Sequence, residues 1–359
     1  MSNMQKKIKE KDGKKFIPYP KIGQLRSLIS TIEHKAHYIG QDENDKPIYD
    51  LSKKNPTLTF TGSVKLHGTN AGVNFSRKTG IYAQSRERLI FIDNDNYGFA
   101  MFVEKNKKAF EKLFEPFYKY LKDDNSIITI FGEWAGKGIQ SGVAISQLDR
   151  FFAIFDVKIS LSLENRFFLP ISEWKNLRNN EARIFNTQDA QTWSIDLDFE
   201  NKLSLEQSIK KMVDITANVE KQCPFGKLHG VNGIGEGVVW VHREPKYGII
   251  RFKVKGDKHQ SSKVKKTIAL DPEIIKNIQE FVDYAVTENR LQQGFDIIFT
   301  SKGLDIDIKK MGEFIKWIIK DIFLEEKDVL IKSGLEMKQV GKYISNAARM
   351  WFLKKWNKI

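Results

Sequence analysis

The sequence predicts an α+β protein in which antiparallel sheets with attached helices are followed by a small all-α C-terminal domain. From residue 58 to residue 255, short runs rich in β-branched and aromatic residues are separated by turns that contain glycine or asparagine, which is typical of strands. These runs do not alternate regularly with helices, so antiparallel sheets are favoured over a parallel, doubly wound sheet. After Gly256, apolar residues recur at helical spacing instead.

The predicted strands are short, and two helices lie among them. Apolar side chains at helical spacing predict helix over much of 97–121 and over 203–219. The strand candidates are LTFTGSVKLHG (58–68), GIYAQS (80–85), SIITIFGEWAG (126–136), FFAIFDVKI (151–159), EGVVWVHR (236–243) and GIIRFKVKG (248–256).

The C-terminal region is predicted to be a separate helical domain. The polar, basic stretch DKHQSSKVKKT (257–267) is typical of a linker, and Asp271, Pro272 and Glu273 have the order expected at a helix start. We therefore divide the chain into 1–256, which begins with a basic, frayed tail, and 264–359. Three apolar stripes are expected to form the helical core: Ile274, Ile278, Phe281, Val282 and Ala285; Ile308, Met311, Ile315, Ile318, Ile319 and Ile322; and Met337, Val340, Ile344, Ala347 and Trp351.

Composition favours a polyanionic partner. Lysine and arginine outnumber aspartate and glutamate by 59 to 45, which gives a formal net charge of +14 over 359 residues, and nucleic acid is the first candidate partner. A merely lysine-rich protein is the alternative, because the excess is spread along the chain. The single Cys223 excludes an internal disulfide framework. With no secretory h-region and no apolar run of ~20 residues, we expect a soluble, cytoplasmic protein without a membrane partner. We also expect a monomer, since no protein partner is implied.

The octapeptide SVKLHGTN (63–70) places a lysine just before a predicted turn. Alternation along a strand would put Lys65 and His67 on one face and Val64 and Leu66 on the other. An amine becomes a nucleophile only if its pKa falls from ~10.4, through burial or neighbouring cations. The alternative is an ordinary surface lysine on a hairpin.

Lys253 and Lys255 repeat this pattern in GIIRFKVKG, with Phe252 and Val254 on the opposite face of the predicted strand. Three converging lysines would lower one another's pKa and would also neutralise a triphosphate. An edge strand protected by lysines is the alternative interpretation.

Two glutamates and one phenylalanine complete the pattern. Glu133 and Glu236 each follow a glycine near a predicted strand end, where a carboxylate could approach a sugar hydroxyl or a hydrated metal ion closely. A solvated turn residue is the alternative for either one. Phe155 could belong to the core or could stack on a base.

Taken in order, these segments resemble the covalent nucleotidyltransferase superfamily of polynucleotide ligases and mRNA capping enzymes. KLHGTN, SRE (85–87) and FGEW are similar to its first three motifs, and FAIFDV, EGVVW and FKVK to the remaining three. The histidine followed by Thr-Asn resembles the RNA ligase branch, particularly the nick-sealing RNA ligase 2 family. TENRL (287–291) resembles part of the helical appendage of that family. One departure is Val64, where the branch often has glutamate.

The resemblance implies a nucleotidyltransferase (ATP-grasp-like) domain in 1–256 and an RNA-binding helical domain in 264–359, with TENRL gripping duplex RNA. It implies an ATP-dependent RNA ligase that seals 3′-hydroxyl/5′-phosphate breaks through lysyl-AMP and an adenylylated 5′ end. ATP and Mg²⁺, with Mn²⁺ as an alternative metal, are the implied cofactors. RNA with a nicked duplex or paired ends is the implied partner, in the cytoplasm of a cell or of a virus-infected host.

The resemblance also implies individual roles. Lys65 would attack the α-phosphorus of ATP, and His67 would orient groups on the pyrophosphate side. Gly68 would let the backbone and Asn70 close around the substrate. Arg86 would hold the substrate phosphate or ribose.

The remaining candidates would contact the nucleotide or its metal ion. Glu133 would bind the ribose, and Phe155 would stack on adenine. Glu236 would position metal-bound water and is the candidate metal ligand. Lys253 and Lys255 would hold the α-phosphate and help keep the nucleophilic amine neutral.

Other functions share much of this pattern. Ligases for single-stranded RNA, tRNA ends or RNA/DNA hybrids would carry every motif. A non-catalytic RNA-binding module could retain the fold. A capping guanylyltransferase is disfavoured by the histidine motif and by the helical C-terminal region.

Overall fold

The computed structural model describes residues 8–162, 164–259, 277–299 and 307–356. The chain divides into two compact units, each made of separate segments. The first unit comprises Met1–Lys21, Leu66–Gln191 and Gln222–Gly235, and the second comprises Ile22–Lys65, Thr192–Lys221 and Glu236–Ile359.

The described residues form strands over much of 10–255 and helices throughout the C-terminal region. The strands are β1 (Glu10–Lys11), β2 (Lys14–Lys15), β3 (Gly23–Gln24), β4 (Tyr38–Gln41), β5 (Pro47–Tyr49), β6 (Thr57–Lys65), β7 (Thr69–Ser76), β8 (Gly80–Ser85), β9 (Ile127–Ala135), β10 (Phe151–Ser160), β11 (Arg166–Phe168), β12 (Ile184–Asn186), β13 (Thr192–Asp198), β14 (Gly237–Glu244) and β15 (Gly248–Lys255). The helices are α1 (Leu28–His37), α2 (Phe99–Lys105), α3 (Lys107–Phe114), α4 (Ile171–Trp174), α5 (Lys202–Lys221), α6 (Pro224–Leu228), α7 (Ile278–Ala285), α8 (Glu288–Ile298), α9 (Met311–Glu325), α10 (Lys327–Lys332) and α11 (Met337–Trp356).

The first unit is built on a sheet with the strand order β11-β10-β9-β7-β8, to which β12 adds beside β10. Its pairs are antiparallel except for the parallel pair of β10 and β12. Strands β9 and β10 are buried at nearly every position, because apolar side chains from both of their faces enter the core. Phe99, Phe110 and Phe114 belong to that core, together with Ile130 and Phe152 of the sheet.

The second unit is built on a sheet with the order β13-β6-β14-β15-β3. Along β6, β14 and β15, buried and more exposed residues alternate, as expected when only one face of a sheet joins the core. Helix α5 packs against β13, β14 and β15. Gly62 is required on β6, because a Cβ there would lie 2.7 Å from the Trp240 ring. The α+β class with antiparallel sheets is therefore confirmed.

The N-terminal segment is structured from residue 8, which corrects the expectation of a frayed tail. Strands β1 and β2 form a hairpin. The backbone N–H of Ile17 donates to Gln84 Oε1 at 3.0 Å, and Gln84 Nε2 donates back to the Ile17 carbonyl at 2.7 Å. The Tyr82 hydroxyl bonds both the N–H and the carbonyl of Lys15, at 3.2 and 3.0 Å. These reciprocal bonds hold the segment against β8.

Helices α7 to α11 share a core of their own. The three predicted stripes supply much of it, including Phe281, Ile318 and Ile344, each 0% exposed. The ends of two stripes do not, since Ile308 and Met337 are each 43% exposed. Ile274, the predicted helix start at 271–273 and most of the predicted linker lie outside the described residues. The division of the chain at 256 and 264 stays a prediction.

TENRL is only partly internal, since Thr287, Arg290 and Leu291 are buried and Glu288 and Asn289 are exposed. Thr287 caps α8 by accepting the N–H of Arg290 at 3.3 Å. The Arg290 side chain is 0% exposed, with Nε donating to Asp321 at 2.9 Å and a terminal nitrogen donating to Glu326 at 2.6 Å. Its charge is therefore satisfied by carboxylates inside the protein and does not supply the grip on RNA that the resemblance implies; RNA binding by the exposed residues of TENRL stays a prediction. None of the described helices combines the length and hydrophobicity that crossing a bilayer requires.

Replacing Arg290 by methionine should destabilise the protein by about 3–5 kcal/mol, because it removes the cation that the fully buried Glu326 and the partly exposed Asp321 share. Urea unfolding followed by circular dichroism would measure the loss. The matched control is Arg349→Met on α11, where the side chain is exposed and the change should stay within about 0.5 kcal/mol. Equal stability of the two variants would contradict a structural role for Arg290.

Candidate active site

Strand β14 aligns two lysines from its neighbouring strands. Gly237 pairs with Lys65 on β6 and with Lys255 on β15, so the two lysine Cα atoms are about 10 Å apart across the central strand. Lys253 lies two residues before Lys255 on β15 and pairs with Val239 of β14. Alternation puts all three lysines on the same face of the sheet. They are only partly exposed, at 20%, 14% and 16% for Lys65, Lys255 and Lys253.

The carboxylate of Glu236 joins two of these amines. Its Oε2 lies 2.6 Å from Lys65 Nζ, and its Oε1 lies 3.1 Å from Lys255 Nζ. Glu236 is 2% exposed and immediately precedes β14. Gly237 has φ +153°, and a Cβ there would lie 2.2 Å from the Val254 carbonyl oxygen. Glycine therefore lets the chain place this carboxylate against the sheet.

Lys253 has a separate carboxylate partner from α9. Its Nζ lies 3.0 Å from one Glu325 oxygen and 3.1 Å from the other. Gln24 on β3 donates to the same carboxylate at 2.7 Å. Burial lowers the pKa of Lys253, and the positive charges of Lys255 and Lys65 add to this effect.

The surroundings favour the charged form of the Glu325 carboxyl, whereas they disfavour the charged form of Lys253. Burial alone would raise the pKa of Glu325, but Lys253 and Lys255 outweigh burial and lower it to about 2. The cluster thus holds three lysines and two glutamates. Because cations outnumber carboxylates among these five side chains, this sheet face suits an anion.

The first unit brings together Gly68, Asn70 and Glu133. Asn70 on β7 is the register partner of Glu133 on β9, and Glu133 Oε1 accepts the N–H of Gly68 at 3.0 Å. A Cβ at Gly68 would lie 2.4 Å from the Trp134 carbonyl oxygen. Only glycine fits at this approach of two backbones.

Phe155 lies at a β-bulge. The register of β10 against β9 shifts between Ile154 and Asp156, and Phe155 is half-buried while its neighbours on the strand are buried. A bulge re-aims a side chain and is common beside active sites. The ring of Tyr19 meets Phe155 edge-on at 5.1 Å, and its hydroxyl donates to Asp156 at 3.0 Å.

His67 and Arg86 lie outside the strands. Because β6 ends at Lys65, His67 does not share a strand face with it, which corrects the predicted alternation. His67 is half-buried, and Arg86 is exposed in the turn after β8. Within the described residues, no group of three or more His, Cys, Asp or Glu side chains could hold a metal ion.

The structure therefore joins Lys65, Glu236 and Lys255 directly, with Lys253 beside them in the second unit. It joins Gly68, Asn70 and Glu133 in the first unit. Sequence reasoning missed Glu325, Gln24 and Tyr19. Glu325 ends an amphipathic helix 72 residues from its lysine partner, and no local pattern indicates that contact.

A family model for RNA ligase matches residues 58–255. The chain belongs to the RNA ligase family. The matched range runs from the strand of Lys65 to the strand of Lys255, so it includes every candidate residue of the site.

Solved structures of an RNA ligase from Naegleria gruberi are similar to this chain. The complex with PPi has 17% sequence identity and a TM-score of 0.41 over 67% of this chain and 56% of that chain. A mutant with AMP and Mn has 17% identity and a TM-score of 0.41, and a mutant with ATP and Mn has 18% and 0.40, over the same shares. This chain thus spans 56% of the length of the Naegleria structures. No curated protein matches it.

Glu325→Gln should change how stability depends on pH. The folded pKa of Glu325 is about 2, below its ordinary 4.5, so its carboxylate stabilises the fold above about pH 4.5 and loses that effect as pH falls toward about 2. The difference in unfolding free energy between wild type and variant should be largest above about pH 5 and should shrink below it.

Urea unfolding across this pH range would test that expectation. Glu313→Gln is the matched control, because Glu313 is exposed on the same helix. A wild-type-to-variant difference that stays constant with pH, or that Glu313→Gln reproduces, would contradict the role given to the Glu325 contact.

Proposed function

We propose that this protein is an ATP-dependent RNA ligase that joins 3′-hydroxyl and 5′-phosphate ends through a lysyl-AMP intermediate. The observation that carries the proposal is the arrangement of Lys65, Lys253 and Lys255 on one sheet face, with Glu236 between Lys65 and Lys255. It lies within the segment that matches the RNA ligase family.

Lys65 is the proposed nucleophile. Its deprotonated Nζ attacks the α-phosphorus of ATP, an N–P bond forms, the bond to the bridging oxygen breaks, and pyrophosphate leaves. The amine proton lost from the nitrogen passes to the Glu236 carboxylate, whose Oε2 lies 2.6 Å away. The positive charges of Lys253 and Lys255 oppose protonation of a neighbouring amine and also offset the charge of the triphosphate. Such phosphoryl chemistry requires mainly positioning and charge neutralisation.

The other candidates are proposed to bind the nucleotide and the acceptor phosphate. Phe155 stacks on adenine, a role that its half-buried position on a bulge supports. Glu133 binds the ribose beside Gly68 and Asn70. His67 acts on the pyrophosphate side.

Arg86 is proposed to hold the substrate phosphate or ribose. Its exposed guanidinium after β8 supports that role, because guanidinium groups recognise phosphate with paired hydrogen bonds.

Mg²⁺, or Mn²⁺ in its place, is the proposed metal cofactor, and the residues fit it in a limited way. Glu236 offers one carboxylate, whose two oxygens already contact lysines. A Mg²⁺ ion keeps several waters and is commonly held by one or two carboxylates together with substrate phosphates. Glu236 would therefore hold the ion jointly with ATP, and the ion would offset developing charge on the phosphates.

RNA is the proposed substrate. The 5′-phosphate of one strand attacks the adenylate and displaces Lys65, and a 3′-hydroxyl then attacks the new anhydride and releases AMP. The proposed physiological RNA has a nicked duplex or paired ends. The protein is proposed to act in the cytoplasm as a monomer without a protein partner. Helix α11 supports RNA binding by the C-terminal region, because it contains no acidic residue over its 20 residues and exposes Lys338, Lys342, Arg349 and Lys354.

Lys65→Ala should abolish covalent labelling by α-³²P-ATP, a loss of more than about a hundredfold, because no other amine replaces the nucleophile. Gel autoradiography and mass spectrometry of the adduct would measure it. Lys53→Ala, in the exposed loop before β6, is the matched control and should label as wild type does. Labelling retained by Lys65→Ala would contradict the nucleophile, and an unlabelled wild type would favour a non-catalytic RNA-binding module.

Sealing of nicked duplexes should depend on which strands are RNA. A set of nicks with RNA or DNA on each side, compared with single-stranded ends of equal length, would measure the preference by gel electrophoresis. We expect RNA nicks to be sealed at least about tenfold faster than single-stranded ends, because a duplex places the two ends next to each other. Faster joining of single-stranded or tRNA ends would instead favour a ligase for those substrates.

A further inference from the structure

The N-terminal hairpin pairs like charges on one of its two faces. Asp12 and Gly13 form its tight turn with positive φ, 51° and 75°. Glu10 lies opposite Lys15 in the register, which is a favourable pair of unlike charges. Lys11 lies opposite Lys14, and like charges directly opposite each other destabilise a strand pair.

Two aromatic rings contact the lysines on the face of the hairpin that carries Lys11 and Lys14. The amines of Lys11 and Lys14 lie 4.7 and 5.7 Å from the centroid of the Phe91 ring. Lys9, two residues before Lys11, lies over Phe16 at 3.7 Å. Three lysines and two aromatic rings thus occur together, while Glu10 is on the opposite side of the hairpin.

The hairpin is fixed to the turn that carries Arg86. The N–H of Leu89 donates to the Ile8 carbonyl at 2.9 Å, and Lys9 Nζ donates to the Glu87 carbonyl. The bonds of Tyr82 and Gln84 hold the segment that follows the hairpin. Tertiary contacts anchor both ends of the hairpin, so the fold keeps Lys11 and Lys14 opposite each other despite their repulsion. An anion bound between the two amines would reduce that repulsion.

We propose that Lys11 and Lys14, together with Phe91, form a docking surface for the phosphodiester backbone of the RNA substrate. Cations that follow a backbone and aromatic rings that accept bases are the two elements of single-strand recognition. The surface adjoins the turn of Arg86, so it would bind the strand whose phosphate Arg86 holds. This inference rests on the proposed function, since it takes the anion to be the ligase substrate.

The test is RNA binding by Lys11→Ala/Lys14→Ala, measured by fluorescence anisotropy with a nicked RNA duplex over a range of salt concentrations. We expect an affinity loss of about tenfold and a salt slope smaller by about 1–2, because two phosphate contacts are lost. Lys107→Ala/Lys108→Ala removes equal charge from the exposed start of α3 and should change affinity less than about twofold. Wild-type affinity and slope in the first variant, or an equal loss in the second, would overturn the proposal.

Further measurements separate charge recognition from folding and from catalysis. Lys11→Arg/Lys14→Arg should retain RNA affinity and Lys11→Gln/Lys14→Gln should lose it, whereas equal affinities would overturn the proposal. All these variants should form the ATP adduct within about twofold of wild type. If wild type forms no adduct, the proposed function fails, but the anisotropy comparison still decides whether this surface binds RNA.

Discussion

The candidate site depends on one carboxylate held between two ammonium groups. Lys65 and Lys255 face the same side of a sheet, with Lys253 beside them, and unscreened repulsion among three partly buried cations would be large. Glu236 contacts the first two at 2.6 and 3.1 Å. Its charge offsets part of that repulsion and so stabilises the arrangement.

Strand order explains why that carboxylate is available. Because β14 lies between β6 and β15, a residue at its start can reach lysines on both neighbours. Gly237 leaves the space and supplies the backbone angle for this approach. The amines are therefore positioned by paired strands, which hold side chains more precisely than loops do.

The sequence predicts those parts of the molecule that follow from local periodicity. Alternation was enough to place Lys253 and Lys255 on one face, and helical spacing was enough to identify the C-terminal core. The bulge at Phe155, the contact of Glu325 and the burial of Arg290 depend on residues distant in sequence, whose meeting is decided by tertiary packing. From sequence alone, Arg290 on an amphipathic helix is expected to be a surface cation. Its partners Asp321 and Glu326 lie 31 and 36 residues away, so local sequence does not indicate its burial.

Two consecutive residues at the end of α9 connect the helical core to the lysine sheet. Glu326 is 0% exposed and pairs with Arg290 inside that core, while Glu325 reaches Lys253. Truncating the chain ahead of α7 would accordingly do more than remove the helical core. It would also strip the partly buried amine of Lys253 of its counter-charge, so a shortened chain would differ from the intact one in the charge balance of its remaining sheet.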